Sequence, residues 1–395
     1  MKSILVINSG SSSVKFALFR IQSNSINKVY SGLIENVQVE PLLTIKNSDD
    51  GKKLAELEPL DKSGSPYESA ISYILKWLTD KNFHVVAVGH RIVHGGASYS
   101  SPVILRDVDL EELSKLNNIC PLHQPHNING VRIIEKLLPD ALQIGCFDTG
   151  FHKSCNPISQ TFSIPKKYRE NGVKRYGFHG LSYEYISQTM PEIVPSDIVN
   201  GKWIVCHLGS GATMCAFHGL KSLATSIGFS AIGGLPMGTR ADSLDPGLVI
   251  YLMKEYQMNT DEILSLIYKE SGLLGVSEIS SDIRDLHASD SPKAKLAVDL
   301  FAHQITNHFG MLCAELQGCD GIIFTGGIGE NDPILRDLVC RNLQWLNFEI
   351  DPIANNNVFG GVTGRISKDD SKDIWVIPTD EELMIARHAY ESIKN

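Results

Sequence analysis

The chain has 395 residues, 43% of them hydrophobic, and a formal net charge of −9. This length predicts two domains with separate cores, and the acidic balance argues against a general nucleic-acid or membrane surface, so an anionic ligand must be held by local cations. The eight scattered cysteines include no Cys-x-x-Cys pair, and no apolar run approaches the length of a membrane span. Together these features predict a soluble, cytoplasmic protein with free thiols.

The first predicted element is a tight pair of strands over residues 3 to 19, with a polar turn between them. The turn carries Asn8, Gly10, three serines at 11 to 13, and Lys15. Glycine lets backbone N–H groups approach an anion, serine hydroxyls donate to it, and lysine adds positive charge. The pattern indicates a phosphate-binding turn, although an ordinary glycine hairpin explains one such segment equally well.

Alternating helices and strands follow. The polar stretch from about 35 to 66 predicts edge strands and exposed loops, and the apolar spacing over 67 to 78 predicts a helix. A buried strand is expected over 85 to 89, and it leads into His90 and Arg91. Polar side chains that begin where a buried strand ends are typical of a binding site in an α/β fold.

A second helix-and-strand unit completes the first predicted domain. The helix is expected around 128 to 138 and the strand over 143 to 147, which leads into Asp148. This aspartate is expected to face a crevice, with a helix-capping role as the alternative. The second domain is expected to begin beyond Gly150.

The turn pattern of the N-terminus recurs half a chain later. An apolar run over 204 to 208 meets the turn at 209 to 211, and Ala17 and Ala216 then stand at the same offset in the two copies. The recurrence predicts a duplicated phosphate-binding unit. The chain has no Gly-x-x-x-x-Gly-Lys-Ser/Thr motif, which excludes the common P-loop.

Helix starts and a glycine-rich turn mark the C-terminal half. Asp245-Pro246 and Ser291-Pro292 each predict a helix start, and Gly318 ends the second of these helices. A strand over 321 to 325 then runs into the glycine-rich turn at 326 to 331. This is where nucleotides bind in open α/β sheets, although a tight strand-to-helix connection needs the same residues.

Two more helix starts lie near the C-terminus. Asp332-Pro333 is expected to cap one helix, and Thr379 with Glu382 forms the pattern of a capping box for the last. Glu381 is left over by that assignment. A carboxylate in this position suits the Mg²⁺ that phosphoryl transfer from a nucleotide requires.

Two arginines stand among glycines that let a guanidinium approach a ligand. They are Arg91 and Arg240, and the pair suits two anions, although a salt bridge between domains explains each one equally well. The histidines at 90 and 94 have the spacing of a metal site only if the segment is helical. Because that segment is strand-like, a zinc site is disfavoured and anion contacts or core imidazoles are favoured.

In combination, these segments resemble the acetate/butyrate kinase family over almost the full length of the chain. The markers of the resemblance are Asn8-Ser9-Gly10-Ser11-Ser12-Ser13-Val14-Lys15-Phe16, Gly89-His90-Arg91-Ile92-Val93-His94-Gly95-Gly96, Phe147-Asp148-Thr149, Arg175-Tyr176-Gly177-Phe178-His179-Gly180, Met237-Gly238-Thr239-Arg240 and Gly326-Gly327-Ile328-Gly329-Glu330-Asn331.

The resemblance implies the fold and the domains. It implies an α/β chain with the duplicated actin-like, sugar-kinase (ribonuclease H-like) fold, in two lobes with a central cleft. Residues 1–150 would form the N-terminal lobe, with the phosphate loop 8–16 and the acyl substrate side, and the C-terminal helix 381–395 would complete it. Residues 151–380 would form the nucleotide-binding C-terminal lobe.

The resemblance also implies the reaction and its residues. The expected reaction is reversible, Mg²⁺-dependent, direct in-line phosphoryl transfer from ATP to acetate, with Mn²⁺ as a possible substitute and a homodimer as the expected assembly. The implied residues are Asn8 and Glu381 for the metal, Arg91 for acetate, Asp148, His179, Arg240 and His123 for catalysis, and Lys15, His207, Leu208, Gly209, Ser210, Gly211, Asp282, Ile283, Arg284, Gly327, Ile328, Gly329, Glu330 and Asn331 for ATP.

Elementary chemistry qualifies the role of Asp148. A short carboxylic acid is already ionised at neutral pH, so the nucleophile needs no general base. Asp148 is therefore expected to orient groups or to hold a metal-bound water. The harder task is bringing two anions together, and Lys15, Arg91, His179, Arg240 and Mg²⁺ would neutralise them and the equatorial oxygens of the transferring group.

Several positions depart from the family pattern and leave alternatives open. Ser210 replaces an asparagine, Leu181 and Tyr183 replace threonine and histidine, Gln124 replaces an asparagine, and the segments 230–233 and 241–244 are rewritten. These changes leave the donor and the acyl chain length open, including propionate and pyrophosphate. A nucleotide-gated, non-enzymatic protein of the actin type is the second hypothesis, and a sugar kinase, which needs a base and fewer cations, is disfavoured.

Overall fold

The computed structural model describes residues 1–10, 13–37, 41–48, 51–55 and 65–394. The chain divides into unit 1, Met1–Gly150 with Asp380–Asn395, and unit 2, Phe151–Thr379. The predicted anion contacts of Ser11 and Ser12 lie outside the described residues.

Each unit contains both strands and helices. The strands are β1 (Lys2–Ser9), β2 (Val14–Ile21), β3 (Ile26–Glu35), β4 (Leu42–Asn47), β5 (Lys53–Ala55), β6 (His84–Ile92), β7 (Val103–Ile104) and β8 (Leu142–Phe147) in unit 1, and β9 (Lys202–Leu208), β10 (Ala212–His218), β11 (Lys221–Thr225), β12 (Gly321–Thr325), β13 (Gly364–Arg365) and β14 (Asp373–Val376) in unit 2.

The helices follow the same division. They are α1 (Pro66–Asp80), α2 (Asp107–Ser114) and α3 (Gln124–Leu137) in unit 1, then α4 (Pro157–Gln160), α5 (Lys166–Glu170), α6 (Gly180–Ile193), α7 (Pro246–Glu255), α8 (Thr260–Lys269), α9 (Gly272–Ser277), α10 (Ile283–His287), α11 (Pro292–Leu316), α12 (Gly326–Asn331), α13 (Pro333–Arg341) and α14 (Pro352–Asn357) in unit 2, and finally α15 (Glu381–Lys394), which returns to unit 1. Short 3₁₀ turns cover Gly150–Ser154 and Gln344–Leu346.

The two sheets share one strand order. Unit 1 has β3-β2-β1-β6-β8 at the centre of its sheet, and unit 2 has β11-β10-β9-β12-β14. In both units the first three strands of this order are antiparallel and the next two pairings are parallel. The prediction of a duplicated α/β fold is therefore confirmed.

Burial on both faces explains the apolar run of β1. Ile4, Leu5, Val6 and Ile7 are all buried, as expected for a central strand covered by helices on each side. Helix α1 contributes to the core cluster that contains Leu5 and Ile7. Helices α3 and α15 also pack against β1 and β6.

Local signals placed the starts of three helices correctly. Helix α11 begins with Ser291 as its N-cap and ends at Leu316, before Gln317 and Gly318 in left-handed conformations, and Asp245 and Asp332 cap α7 and α13 as predicted. Hydrogen bonding of the cap side chain to the first turn explains each start.

Three local predictions are wrong. The segment 326–331, predicted as a glycine-rich turn, forms the short helix α12 directly after β12. Asp380, not Thr379, caps α15, because its Oδ1 accepts a hydrogen bond from the backbone N–H of Leu383 at 2.9 Å. His90 and Arg91 lie inside β6 rather than after it, since that strand continues to Ile92 between its two parallel neighbours.

All eight cysteines are free thiols. Within the described ranges, every helix is too short or too polar to cross a membrane.

Two buried histidines make the units sensitive to acid. His90 pairs through Nε2 with Oε1 of Gln143 at 2.8 Å, and His152 in unit 2 is fully buried. Burial lowers the pKa of each from 6.5 to about 4, although a hydrogen bond to Gln143 or to Phe178 opposes the shift. An unfolded histidine binds a proton below about pH 6.5 and these folded ones only near pH 4, so acidification in this range favours unfolding.

We expect the free energy of unfolding to fall by about 2 kcal/mol per buried histidine between about pH 6.5 and pH 5, because one pKa unit is worth about 1.4 kcal/mol. Urea denaturation at the two pH values measures the change. His90→Gln should remove this contribution from unit 1. His84→Gln, at an exposed position of the same strand, should retain it. An unaltered pH dependence in His90→Gln would show that the assignment is wrong.

Candidate functional site

A buried ion-pair cluster lies at the end of the parallel strands of unit 1. Strands β6 and β8 are parallel neighbours with Arg91 opposite Cys146, so Asp148, just beyond β8, lies beside Arg91. Asp148 accepts hydrogen bonds from Nε of Arg91 at 3.1 Å and from Nη2 at 2.7 Å. Glu381 approaches the same Nε to 3.8 Å. We call these three residues the Arg91 cluster.

The packing of α15 on β6 places Glu381 in this cluster. At Gly89, two residues before Arg91, an added Cβ would lie 2.4 Å from Cγ2 of Ile385 in α15. No larger residue fits at this position without a shift of the helix. The absence of a side chain at Gly89 therefore allows the first turn of α15 to approach the strand that carries Arg91.

Burial and charge act against each other in the Arg91 cluster. The side chain of Arg91 is 19% exposed and Asp148 is 1% exposed. Burial alone would disfavour the guanidinium charge, but Asp148 and Glu381 more than compensate and raise the pKa of Arg91. Burial raises the pKa of Asp148, and Arg91 offsets only part of that rise. One positive charge thus faces two acidic side chains.

Oxygen ligands for a divalent cation are present in unit 1. Asn8 ends β1 and Glu381 begins α15, two elements that pack against each other. Within the described ranges no three His, Cys, Asp or Glu residues group as a metal site. The donor chemistry fits Mg²⁺, which prefers oxygen ligands and retains several waters, and the excess of carboxylates in the Arg91 cluster favours a cation.

The N-terminal turn holds Lys15 opposite Asn8. These two residues are register partners in the antiparallel pair β1–β2, so their side chains leave the same face of the sheet. The turn is closed by a hydrogen bond from the N–H of Gly10 to the carbonyl of Ser13 at 2.9 Å. The hydroxyl of Tyr67 donates to the carbonyl of Gly10.

The residue before α3 is His123, and the first turn of this helix ties strand ends together. Asn127 donates from Nδ2 to the carbonyl of Ser9 at 2.8 Å and accepts from the N–H of Val93 at 3.0 Å. Gln124 accepts from the N–H of His94 at 3.1 Å. Sequence reasoning noted Gln124 only as a departure from the family pattern and missed Asn127, because amides that satisfy distant backbone groups leave no local pattern.

In unit 2, the start of α6 is bonded to the hairpin of β9 and β10. Nδ1 of His179 lies 2.9 Å from Oγ1 of Thr213, Oη of Tyr183 lies 2.5 Å from the same Oγ1, and Oγ of Ser182 lies 2.8 Å from Nδ1 of His207. The imidazoles of His179 and His207 stack with ring centroids 4.1 Å apart. We call this group of five residues the α6–hairpin junction.

His179 has an unusual backbone. Its φ of 56° places a non-glycine residue in the left-handed region immediately before α6. That conformation costs energy and persists where surrounding contacts impose it. Nε2 of the buried His152 lies 2.9 Å from the carbonyl oxygen of Phe178, the preceding residue. Sequence reasoning did not single out His152, whose signal would have been a histidine in an otherwise buried segment.

Arg240 lies elsewhere in unit 2, half-buried. It donates from Nη1 to the carbonyl of Ala231 at 3.0 Å, and its guanidinium lies 6.0 Å from the ring centroid of Tyr268. A guanidinium over an aromatic face is held in a defined orientation.

A cavity of about 680 Å³ lies at the glycine-rich turns of unit 2. Its volume is in the range of small-molecule and cofactor sites. The predicted residues that line it are Gly209, Ser210, Asp282, Ile283, Arg284, Gly327, Ile328 and Asn331. The structure thus brings together eight of the residues proposed for ATP within one unit.

Other predicted ATP residues lie outside the lining of this cavity. His207, Leu208 and Gly211 belong to the adjoining hairpin, and Gly329 is buried in α12. The carboxylate of Glu330 is occupied within the protein, accepting from the N–H of Gly326 at 2.8 Å and from that of Thr379 at 3.1 Å.

Gly326 shows why the turn needs glycine. Its φ is +79°, and an added Cβ would lie 2.7 Å from the carbonyl oxygen of Leu208. The close approach of α12 to β9 therefore excludes any larger residue. This packing brings the turn at 209–211 and helix α12 to the same cavity.

His287 and Asp332 also line the cavity and were not expected there. Nε2 of His287 lies 2.9 Å from Oδ2 of Asp332, whose Oδ1 caps α13. The hydrogen bond to Asp332 raises the pKa of His287. Asp332 was expected only as a cap, and the histidine stands in no recognisable motif.

The chain is similar to curated proteins over nearly its whole length. The chain is 43% identical over 392 residues to an acetate kinase from Rhodopseudomonas palustris (strain TIE-1), covering 98% of this chain and 97% of that protein. It is 40% identical over 391 residues to an acetate kinase from Rickettsia akari (strain Hartford), covering 97% of each.

Comparisons with solved structures and with a family profile point the same way. An acetate kinase from Porphyromonas gingivalis superposes with a TM-score of 0.87 at 34% identity, covering 100% of both chains. A propionate kinase from Francisella tularensis subsp. tularensis SCHU S4 gives 0.90 at 33% identity, covering 99% of this chain and 100% of that one. The profile of the Acetokinase family matches residues 3–387. The chain belongs to the acetokinase family.

Proposed function

We propose that this protein is an acetate kinase, which transfers the γ-phosphoryl group of ATP reversibly to acetate and yields acetyl phosphate and ADP. The observation that carries the proposal is the buried Arg91 cluster, in a chain whose curated relatives are named acetate kinases. Nε and Nη2 of Arg91 both donate hydrogen bonds to the carboxylate of Asp148. Within the described ranges Nη1 of Arg91 has no hydrogen-bond partner, which leaves a donor for a ligand carboxylate.

We assign the nucleotide to unit 2. The cavity is lined by glycines of the turn 209–211 and of helix α12, whose backbone N–H groups suit a polyphosphate. His179 and Arg240 are proposed to stabilise the charge on the transferring phosphoryl group. Lys15 of unit 1 is proposed to contact a phosphoryl oxygen.

Positioning and charge neutralisation are proposed to do most of the catalysis. The acceptor carboxylate is ionised at neutral pH, so the reaction needs no general base, and the phosphoryl group passes through an in-line, metaphosphate-like transition state. Asp148 holds Arg91 in place rather than removing a proton. His123 is proposed to support the acyl side.

We propose that Asn8 and Glu381 hold Mg²⁺, directly or through water. The contribution of the ion, when bound, is to neutralise the polyphosphate. The second acidic side chain beside Arg91 supports this assignment, because without a cation the Arg91 cluster repels an anionic substrate.

A propionate kinase is the second candidate function. The solved propionate kinase from Francisella tularensis is similar over nearly the full chain. The fold therefore does not distinguish a kinase for acetate from one for propionate. The eight free thiols support a reducing, cytoplasmic location for either enzyme.

We expect ADP formation that depends on the added acid. Acetate, propionate and butyrate, each combined with ATP, GTP and pyrophosphate, form the panel, and coupled detection of ADP or acyl phosphate is the measurement. The highest kcat/KM is expected for acetate with ATP. A rate of nucleotide hydrolysis that does not change when any of the acids is added would favour a nucleotide-gated binding protein.

Arg91→Ala and Arg240→Ala should each lose about 10²-fold or more in kcat/KM, as when one preorganised donor is deleted. The matched controls are Arg132→Ala in unit 1 and Arg341→Ala in unit 2, both exposed, which should stay near the parent rate. Because Arg91→Ala leaves buried carboxylates unpaired, Arg91→Lys tests the same role with the charge retained. Near-parent rates in both alanine variants would refute the assigned roles.

We further propose that the protein is a homodimer that buries α7. No residue of this helix is buried, yet Leu248, Ile250, Tyr251 and Met253 are apolar and 39% to 54% exposed. Helix α7 contains no charged residue before Lys254. An exposed helix that is uncharged and apolar over this length suits a second copy of the same surface, since a two-fold interface is self-complementary.

Ile250→Glu should convert the dimer to a monomer, because a carboxylate would be buried without a partner. Light scattering after size exclusion measures the mass, for which one chain accounts for 43.5 kDa. Ile158→Glu, which changes an apolar residue that is 83% exposed on α4, is the matched control and should remain dimeric. A parent protein of single-chain mass would contradict the proposal.

A further inference from the structure

Two residues of α6 reach the same hydroxyl in the hairpin. His179 and Tyr183 are four residues apart at the start of the helix, and the N–H of Tyr183 donates to the carbonyl of His179 at 3.0 Å. Side chains at this spacing lie on one helix face. Both meet Oγ1 of Thr213, at 2.9 Å from Nδ1 of His179 and at 2.5 Å from Oη of Tyr183.

Burial determines the direction of these hydrogen bonds. Tyr183 and Thr213 are each 0% exposed, so an undonated O–H at either residue would be costly. Burial raises the pKa of Tyr183 well above its ordinary value, so the phenol keeps its proton. Within the described ranges, the hydrogen-bond acceptor at Oη of Tyr183 is Oγ1 of Thr213.

The proton of Thr213 is then left for the imidazole. If Oγ1 accepts from Tyr183, its own O–H donates to Nδ1 of His179, so in the neutral ring the proton of His179 stands on Nε2. The ring of Tyr183 is itself held edge-on by His152 and Phe217, with centroids 5.6 Å and 6.0 Å away.

Nε2 of His179 lies close to the turn at 209–211 of unit 2. A Cβ built on Gly211 would lie 3.3 Å from this nitrogen. Nε2 therefore places its hydrogen near the turn that is proposed to bind phosphate, where a donor suits phosphoryl oxygen.

We propose that Tyr183 is a positioning residue that, through Thr213, holds His179 in the Nε2–H tautomer required to donate to the transferring phosphoryl group. The proposal rests on the role assigned to His179 under the proposed function. It adds Tyr183 and Thr213 to the residues of the proposed site, and neither is proposed to touch the reacting atoms.

Nitrogen-15 NMR of histidine-labelled protein tests the tautomer without any measurement of activity. Two-bond proton–nitrogen correlations distinguish the Nε2–H and Nδ1–H forms, and His179→Gln assigns the signal. The full-length parent should show His179 as the Nε2–H form. Tyr183→Phe, which keeps the ring and removes the hydroxyl, frees Thr213 to accept instead, and should give a mixture of the two forms.

Kinetics supply the second measurement. Tyr183→Phe should lower kcat about 10-fold, with KM for ATP and acetate within about twofold, as for loss of a group that orients a functional histidine. Thr213→Val should behave similarly, Thr213→Ser should restore the parent behaviour, and Tyr168→Phe, at an exposed tyrosine of unit 2, should change nothing.

The proposal is overturned if the parent shows the Nδ1–H form, or if Tyr183→Phe keeps the parent tautomer. Failure of the proposed function gives a different result. If His179→Gln retains the parent kcat, the catalytic role of His179 is wrong, while the NMR comparison still decides whether Tyr183 sets its tautomer.

Discussion

A guanidinium that is mostly buried needs compensating carboxylates, and this requirement organises unit 1 around Arg91. Asp148 contacts the guanidinium of Arg91 from the end of β8. Glu381 approaches it from a helix more than two hundred residues later in the chain. The close packing of α15 at Gly89 brings that helix back to β6. The same excess of carboxylates that holds Arg91 also favours a cation, so the acid site and the metal site that we propose would share one group of charges.

In unit 2, hydrogen bonds through hydroxyl groups hold the histidines of the α6–hairpin junction in position. Ser182 and Thr213 each bond to a histidine, and the two imidazoles stack between α6 and the hairpin. A hydroxyl can donate or accept, so it takes its direction from its other partner. For this reason a buried tyrosine one helical turn from His179 is able to decide which imidazole nitrogen carries the proton.

Duplication of one strand order explains why both units present a glycine turn at an equivalent place. In each, the first strand of the repeat leads into the second through such a turn, near Gly10 in unit 1 and near Gly209 in unit 2. The surroundings of the two turns differ. The second turn adjoins α12, whose approach to β9 requires Gly326, and a cavity of about 680 Å³ lies beside them.

The sequence by itself determined the apolar strands, the starts of α7, α11 and α13, the duplicated fold class and the family resemblance, because each depends on periodicity, caps or ordered motifs that can be read locally. It misplaced the cap of α15, since Thr379 and Asp380 are both able to cap and only the fold selects Asp380. The tertiary structure alone decided the pairing of Arg91 with Asp148 and Glu381 and the hydrogen bonds of Tyr183 through Thr213 to His179. Burial makes such partners obligatory, but chain folding, not sequence spacing, decides which distant group is within reach.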